Sequence, residues 1–297
     1  MNSNKNNWIK YSVIVSEEFV EPVVQMFSRF LHGSVVVEKE GDPEDGINKE
    51  SIVSGYVLKT KNSKELEKNL NSGLSLFSGV FNLSNIKITE ISSEIWEKQK
   101  FDPIIIGDIA ILPFREQINK FSDYLWVIIE PSMAFGTGHH PTTKMCISLL
   151  EKYLIKNDKV VDLGCGSGIL GLVALKIGAD NCLSIDVEEE SVLASNKNAN
   201  DSELSNKIKV EKQDLLKDLD IGFSPDLVIA NLNSFLFREG LVNISDIVLP
   251  NKKIIASGIL VENLDEIEAI FNSFNFEIIE RCESGDWAAI VAQKNNA

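Results

Sequence analysis

The first third of the chain alternates between runs of residues typical of strands and of helices. Residues 8–15 alternate apolar and polar positions, and the apolar residues of 17–31 recur at helical spacing. Two short strands, a helix beginning near Ser63 and a strand at 86–91 complete the order β-α-β-β-α-β. This order is typical of a ferredoxin-like α+β domain, with both helices on one face of a four-stranded antiparallel sheet. Because no catalytic constellation is visible here, we interpret residues 1–92 as a substrate-recognition domain.

The second half has a different pattern. From residue 159 onward, short apolar strands alternate with amphipathic helices, which predicts a parallel sheet covered on both faces. Two strand-like runs, 276–281 and 287–293, predict a terminal antiparallel hairpin, which a plain dinucleotide-binding fold does not need. We therefore predict an α/β, Rossmann-like domain over residues 131–297. Residues 93–130, with a few short strand-like runs, are interpreted as a connector.

Composition and charge narrow the function classes. The 297 residues are 44% apolar and 25% charged, without an apolar run long enough for a membrane helix, so we expect a folded cytoplasmic protein that does not contact a membrane. The four cysteines lack metal-ligand spacing, which predicts free thiols and no metal site. A net charge of −15 disfavours direct nucleic-acid binding and suits a basic partner, although excess acid can also serve solubility alone.

The strongest chemical signal is the run VVDLGCGSG, which begins at residue 160 between a strand and a helix. Gly164, Gly166 and Gly168 lack side chains, so the backbone can turn tightly and a ligand can lie against it. Asp186 ends the next strand, where a carboxylate can accept hydrogen bonds from both hydroxyls of a ribose. Together these residues predict an adenosine site. Asp162, just before the glycines, suits a cationic amino-acid group better than a pyrophosphate.

The glycine turn alone does not decide which cofactor binds. It also matches the dinucleotide fingerprint G-x-G-x-x-G, so an NAD-dependent oxidoreductase is one alternative. Asp162 and the terminal hairpin favour S-adenosylmethionine instead. The polar, glycine-rich segment FGTGHHPTT at 135–143, which ends at a helix start, favours it too. For Thr143, at the end of this segment, an ordinary helix N-cap is the alternative to a cofactor contact.

Further polar residues follow other strands. Asn231 ends the predicted strand at 226–231, where its amide oxygen and adjacent backbone carbonyls could orient a nucleophilic nitrogen, or where it could only close a turn. Asp214 could meet the adenine amino group, but a solvated turn acid is an equal alternative. For His139 and His140 we favour a role in loop structure over general-base catalysis, since no acid, base or metal partner is visible.

Taken in order along the chain, these motifs resemble the ribosomal protein L11 methyltransferase (PrmA) family. The resemblance extends from about Trp96 to the C-terminus and rests on the following segments: Ala134–Thr143, Asp162–Gly168, Asp186, Asn231 and Ser257–Leu260. It implies a seven-stranded class I methyltransferase domain behind a small recognition domain, and S-adenosylmethionine as methyl donor. It also implies an enzyme that methylates lysine side chains and the N-terminal α-amine of ribosomal protein L11, its protein partner.

The resemblance also implies site residues. Carried over by position, the cofactor contacts fall on Thr143, Gly164, Asp186 and Asn231. Our hypothesis for catalysis is that Asn231 and the carbonyl of Leu232 orient the acceptor amine. We expect a monomer.

Two departures from the family pattern keep alternatives open. His139 stands where the family usually has Thr, and residues 232–237 read LNSFLF where it usually reads ILAGPL. The second departure flanks the acceptor nitrogen, so a methyltransferase for another protein lysine or a small amine is the nearest alternative. A binding module without turnover is a further one, although the intact glycine turn and Asp186 argue against it.

Overall fold

The structure is a computed structural model in which the chain divides into two compact units, Met1–Phe101 and Asp102–Ala297. The described residues are 8–16, 23, 26–27, 35–40, 50–58, 66–68, 70, 72–73, 86–91, 103–130, 138 and 140–296. The predicted first helix at 17–31 therefore lies mostly outside them. The predicted division into residues 1–92, 93–130 and 131–297 stays a prediction.

The first unit contains a four-stranded antiparallel sheet of order β2-β3-β1-β4. Its strands are β1 (Trp8–Ser16), β2 (Val35–Glu40), β3 (Glu50–Leu58) and β4 (Lys87–Ile91). Alternate residues of β1 share a core with helical residues, and that core comprises Ile9, Tyr11, Val13, Val15, Val23, Met26, Phe27, Val53 and Leu70. The four strands and their antiparallel pairing agree with the sheet predicted for a ferredoxin-like domain.

The second unit alternates strands and helices, as predicted. Its strands are β5 (Ile104–Ile106), β6 (Ile109–Leu112), β7 (Leu125–Ile128), β8 (Lys159–Leu163), β9 (Asn181–Asp186), β10 (Ile208–Lys212), β11 (Leu227–Asn231), β12 (Lys253–Leu260), β13 (Phe276–Ser284) and β14 (Trp287–Lys294). Its helices are α1 (Pro141–Tyr153), α2 (Ile169–Ile177), α3 (Glu189–Asp201), α4 (Ser234–Ile247) and α5 (Leu264–Ser273), with 3₁₀ turns at Arg115–Lys120 and Val261–Asn263.

Seven of these strands form one sheet of order β10-β9-β8-β11-β12-β14-β13. The first five run parallel, and β14 is antiparallel to both β12 and β13. Neighbouring residues of β8 serve opposite faces, because Val160 packs into one hydrophobic core and Val161 into the other. This sheet confirms the predicted Rossmann-like, seven-stranded class I fold. The strand order reverses between β8 and β11, and ligands of open α/β sheets bind at such a switch point.

Residues 103–130 pack within the second unit as a three-stranded sheet of order β5-β6-β7. Strand β6 is buried along its whole length because both of its faces are covered. Ile109 and Ile111 join the larger core with Val127, while Ala110 and Leu112 pack in a small cluster of their own. The segment interpreted as a connector therefore contributes to the core that supports the glycine turn.

Within the described ranges, no helix is both long and apolar enough to cross a membrane. The same residues contain no group of three or more His, Cys, Asp or Glu side chains that could hold a metal ion. The four cysteines are free, and all but Cys282 are buried.

Candidate active site

The turn after β8 has the geometry that its glycines permit. Gly164, Gly166 and Gly168 all have left-handed backbones, with φ of 66°, 53° and 80°, a region that residues with a Cβ rarely adopt. Gly164 is exposed whereas its neighbours are buried, so its backbone is open to a ligand. The Cys165 N–H donates to the Ile185 carbonyl at 3.0 Å, and the Gly168 N–H closes the turn on the Cys165 carbonyl at 2.8 Å.

Close packing adds a second reason for glycine in this turn. A Cβ at Gly164 would lie 2.5 Å from Cδ2 of Leu232, and one at Gly168 would overlap the hydroxyl of Ser195. The loop after β11 and helix α3 therefore both pack closely against the turn.

Asp186, at the end of β9, holds the glycine turn from the neighbouring strand. One carboxylate oxygen accepts from the Gly166 N–H and the other from the Glu188 N–H, each at 2.9 Å. The side chain is half-buried. Each carboxylate oxygen has two lone pairs, so both retain acceptor capacity for hydroxyl groups of a ligand.

Asp162 is buried beneath the turn. Its Oδ2 accepts from the Gly171 N–H at 2.9 Å, which ties β8 to the first turn of α2. Burial raises the pKa of the Asp162 carboxyl to about 7; the Gly171 hydrogen bond opposes this shift and the charge of Asp186 adds to it. The observed contact is structural, and the predicted role of Asp162 toward a cationic amino-acid group stays a prediction.

Helix α1 begins with His140 as its N-cap. The His140 Nδ1 accepts from the Thr142 N–H at 3.4 Å and lies 2.7 Å from the Thr142 hydroxyl. The N-cap is therefore neither Thr142 nor Thr143, which removes the alternative that the sequence left open for Thr143. Burial lowers the pKa of His140, so its imidazole is neutral at neutral pH. The histidine caps the helix, in agreement with a role in loop structure.

Thr143 is fully buried in the first turn of α1. Helix α1 as a whole packs against β11, β12 and α2. Its hydroxyl has no hydrogen-bond partner among the residues that the structure describes. A buried hydroxyl without a partner is costly, so this atom is a candidate contact for a ligand. His139 and residues 131–137 lie outside the described residues.

Across the switch point, Asn231 ends β11 and Leu232 begins the loop that follows. The Leu232 N–H donates to the Ser257 carbonyl at 2.9 Å, and its carbonyl lies against Gly258. Gly258 has a φ of 81° at an irregularity of β12, and a Cβ there would overlap that carbonyl and lie 3.1 Å from Oδ1 of Asn231. Gly258 therefore sets how closely β12 approaches the two predicted catalytic residues, a role that its sequence context did not predict.

Asp214 lies two residues beyond the end of β10. Its carboxylate accepts from the Leu216 N–H at 3.0 Å and pairs with Lys217, and these contacts, the first more than the second, lower its pKa. The Gln213 N–H donates to the Asp186 carbonyl at 3.0 Å, which places Asp214 near the acid at the end of β9. These contacts are those of a turn acid, and its predicted contact with adenine stays a prediction.

The carboxyl edge of the parallel strands thus collects most of the predicted site. The glycine turn follows β8, Asp186 ends β9 and Asn231 ends β11, on both sides of the switch point. Sequence reasoning missed the buried polar face of α3, where Ser195 and Asn198 pack against the glycine turn. Polar residues on the inner face of a helix resemble solvent-facing ones in a single sequence, so no signal identified them.

Comparison with known proteins identifies the family. The family model for ribosomal protein L11 methyltransferase (PrmA) matches residues 7–295. The chain belongs to the ribosomal protein L11 methyltransferase family. This match confirms the predicted family, and the enzyme class predicted with it, a methyltransferase. It covers both units and every predicted site residue.

Individual relatives agree with the family match. The chain is 36% identical over 201 residues to the ribosomal protein L11 methyltransferase of Dictyoglomus turgidum, an alignment that covers 68% of this chain and 66% of that protein. It is 29% identical to the Listeria monocytogenes protein of the same name, over 97% of this chain and 98% of that one. A crystal structure of ribosomal protein L11 methylase from Lactobacillus delbrueckii subsp. bulgaricus aligns with a TM-score of 0.60 and 27% identity, covering 66% of this chain and all of that one.

Proposed function

We propose that this protein transfers methyl groups from S-adenosylmethionine to amino groups of ribosomal protein L11, namely lysine side chains and the N-terminal α-amine. The observation that carries the proposal is the family match over residues 7–295, because it includes both units and the whole candidate site. The net charge of −15 suits a basic protein partner.

The residues at the carboxyl edge fit S-adenosylmethionine. The exposed backbone of Gly164 allows close approach, and the Asp186 carboxylate has acceptor capacity for ribose hydroxyls. The buried Thr143 hydroxyl offers a hydrogen bond that no described residue takes up. When bound, S-adenosylmethionine supplies a methyl group on a positively charged sulfur, which is already activated for transfer to a neutral amine.

On the acceptor side, this chain supplies alignment. Asn231 Oδ1 and the Leu232 carbonyl are both hydrogen-bond acceptors, and Gly258 keeps them beside the end of β12. Two acceptors can hold the hydrogens of a neutral amine so that its lone pair points at the methyl carbon, which lowers the barrier by orientation. A lysine must first lose its proton, since its reference pKa is about 10.4.

Intact-mass spectrometry tests this function. Purified protein is incubated with S-adenosylmethionine and recombinant ribosomal protein L11, and we expect mass increments of one CH₂ group each on L11. Peptide mapping then distinguishes lysines from the α-amine. If L11 stays unmodified while the protein binds S-adenosylhomocysteine, L11 is not the methyl acceptor, and the assignment of S-adenosylmethionine as donor stands. A thermal shift with NAD but not with S-adenosylhomocysteine would contradict the assignments of both the donor and the acceptor.

A further inference from the structure

The glycine turn is only partly fixed by its own residues, through the hydrogen bond from the Gly168 N–H to the Cys165 carbonyl. Ser167 lies between Gly166 and Gly168, and a residue without a Cβ populates left- and right-handed backbones about equally well. The peptide groups around Ser167 therefore depend on hydrogen bonds to stay in one orientation. Asp186 holds the Gly166 N–H, but it makes no hydrogen bond to the Ser167 carbonyl.

Helix α3 provides one of these hydrogen bonds. Asn198 is 1% exposed, and its Nδ2 donates to the Ser167 carbonyl at 2.9 Å. The adjoining Gly168 N–H is bonded to the Cys165 carbonyl, so both polar groups of the peptide between Ser167 and Gly168 are fixed. Asn198 thus donates a buried hydrogen bond that fixes the orientation of this peptide.

The other end of the same amide reaches the chain just after β7. The Glu130 N–H donates to Asn198 Oδ1 at 3.1 Å, and Glu130 lies two residues past the end of β7. One turn along the helix, Ser202 accepts from the Ile128 N–H at 2.8 Å and donates to the Ile128 carbonyl at 3.3 Å. Asn198 therefore links the glycine turn to the chain just after β7, whereas Ser202 bonds to Ile128 of β7 and does not bond to the turn.

We infer that Asn198 is a positioning residue of the donor site, which holds the glycine turn and the chain just after β7 in one geometry. The inference rests on the proposed use of S-adenosylmethionine. It concerns only the binding of the methyl donor and does not depend on which molecule accepts the methyl group.

The test is the substitution Asn198→Asp in the full chain. Aspartate keeps the acceptor for the Glu130 N–H but places a carboxylate oxygen against the Ser167 carbonyl, so the peptide is pushed out of its orientation. We expect S-adenosylhomocysteine affinity, measured calorimetrically, to fall by about tenfold or more, because one buried hydrogen bond becomes a repulsion. The KM for S-adenosylmethionine rises accordingly, while kcat at saturating donor and the KM for L11 stay near those of the wild type.

Two control variants separate positioning from general destabilisation. Asn196→Asp makes the same change on the same helix, where the side chain is exposed and bonds only to Val192 of its own helix. Ser202→Ala removes two buried hydrogen bonds without touching the turn, so we expect a lower melting temperature and unchanged donor affinity. If Asn198→Asp does not fold, Asn198→Ala, which adds no buried charge, is measured in its place.

The outcomes are distinct. Wild-type affinity in a folded Asn198 variant would overturn the inference. So would a donor affinity that falls in Ser202→Ala as much as in the Asn198 variant at equal loss of stability, since the effect would then be general. A wild-type protein that binds no S-adenosylhomocysteine would instead contradict the proposed function.

Discussion

At the scale of single residues, the site combines groups that serve the backbone with groups that remain available to a ligand. Asp186 and Asp162 both accept from N–H groups around the glycine turn, yet one is half-buried and the other is buried completely. Their chemistry differs accordingly, since desolvation disfavours the charged form of a carboxyl. Asp162 is therefore a proton-binding group in the folded protein at pH values where an ordinary aspartate is ionised.

The free energy of unfolding should therefore depend on pH through the protonation of Asp162. Because burial raises the pKa of Asp162 from 3.8 to about 7, its contribution is fully present below the unfolded pKa and is lost as pH rises through about 7. Asp162→Asn carries no such charge and keeps an acceptor for Gly171. Relative to this variant, the wild type should lose up to roughly 4 kcal/mol of unfolding free energy between about pH 4 and pH 8, as measured by urea titration.

Asp226→Asn is the matched control for that titration. The hydrogen bond from Lys252 lowers the pKa of Asp226, so its contribution is present at neutral pH and is lost only as pH falls through that lowered pKa. Above about pH 5 this variant should run parallel to the wild type. A constant difference between Asp162→Asn and the wild type across the whole range would show that Asp162 does not take up a proton there.

The proposed alignment of the acceptor amine rests chiefly on Asn231. Asn231→Ala removes the side-chain acceptor and leaves the Leu232 carbonyl, so we expect turnover at saturating donor to fall about tenfold or more. Asn233→Ala is the control, because Asn233 caps α4 by accepting from the Leu236 N–H at 3.0 Å. It should cost about 1 kcal/mol of stability and leave turnover unchanged. Turnover within about twofold of the wild type in Asn231→Ala would contradict the role.

At the scale of elements, local pattern was sufficient for most strands and helices of the second unit. Strand β8 has the predicted bounds, and the terminal hairpin lies where its apolar alternation placed it. The hydrophobic pattern gave wrong strand bounds where a contact with a residue distant in sequence determines where the strand ends. The apolar pattern predicts a strand over 252–257. Strand β12 instead continues to Leu260, because Gly258 accommodates the Leu232 carbonyl at an irregularity of the strand.

The same distinction applies to the site. The positions of the glycine turn, Asp186 and Asn231 were predictable because a shift from apolar to polar residues marks the end of a strand in the sequence. The roles of Asn198 and Ser202 were not, since their partners lie 31 and 74 residues away along the chain. Nor could the orientation of Asp162 be predicted, because one position on a strand serves either face of the sheet depending on register.

At the scale of the whole molecule, each unit has a hydrophobic core of its own. The four-stranded sheet packs with helical residues of the first unit, and the two larger cores of the second unit enclose the seven-stranded sheet. All predicted site residues belong to the second unit. A separate core is the condition for a part of a chain to fold alone, so the two units can be given separate tasks.

Removal of residues 1–101 tests this division of labour. The remaining chain keeps the glycine turn, Asp186, Thr143 and the cores around them, so S-adenosylhomocysteine affinity should stay within about twofold of the full-length value, and a cooperative thermal transition should show that it folds. Methylation of L11 should be lost, because the surface predicted to grip the substrate is gone. A point variant that abolishes turnover, Asn231→Ala in the full chain, supplies the background rate.

The concentration dependence of L11 methylation by the shortened chain shows whether the first unit acts by docking the substrate. If the first unit only concentrates the substrate, raising L11 to high concentration should restore part of the turnover of the shortened chain, because a docking contact acts through effective concentration. Binding of L11 to the full chain should weaken with added salt, since opposite charges on a basic substrate and this acidic protein are screened. Full methylation of L11 by the shortened chain at low substrate concentration would contradict the docking role and place substrate recognition within the second unit.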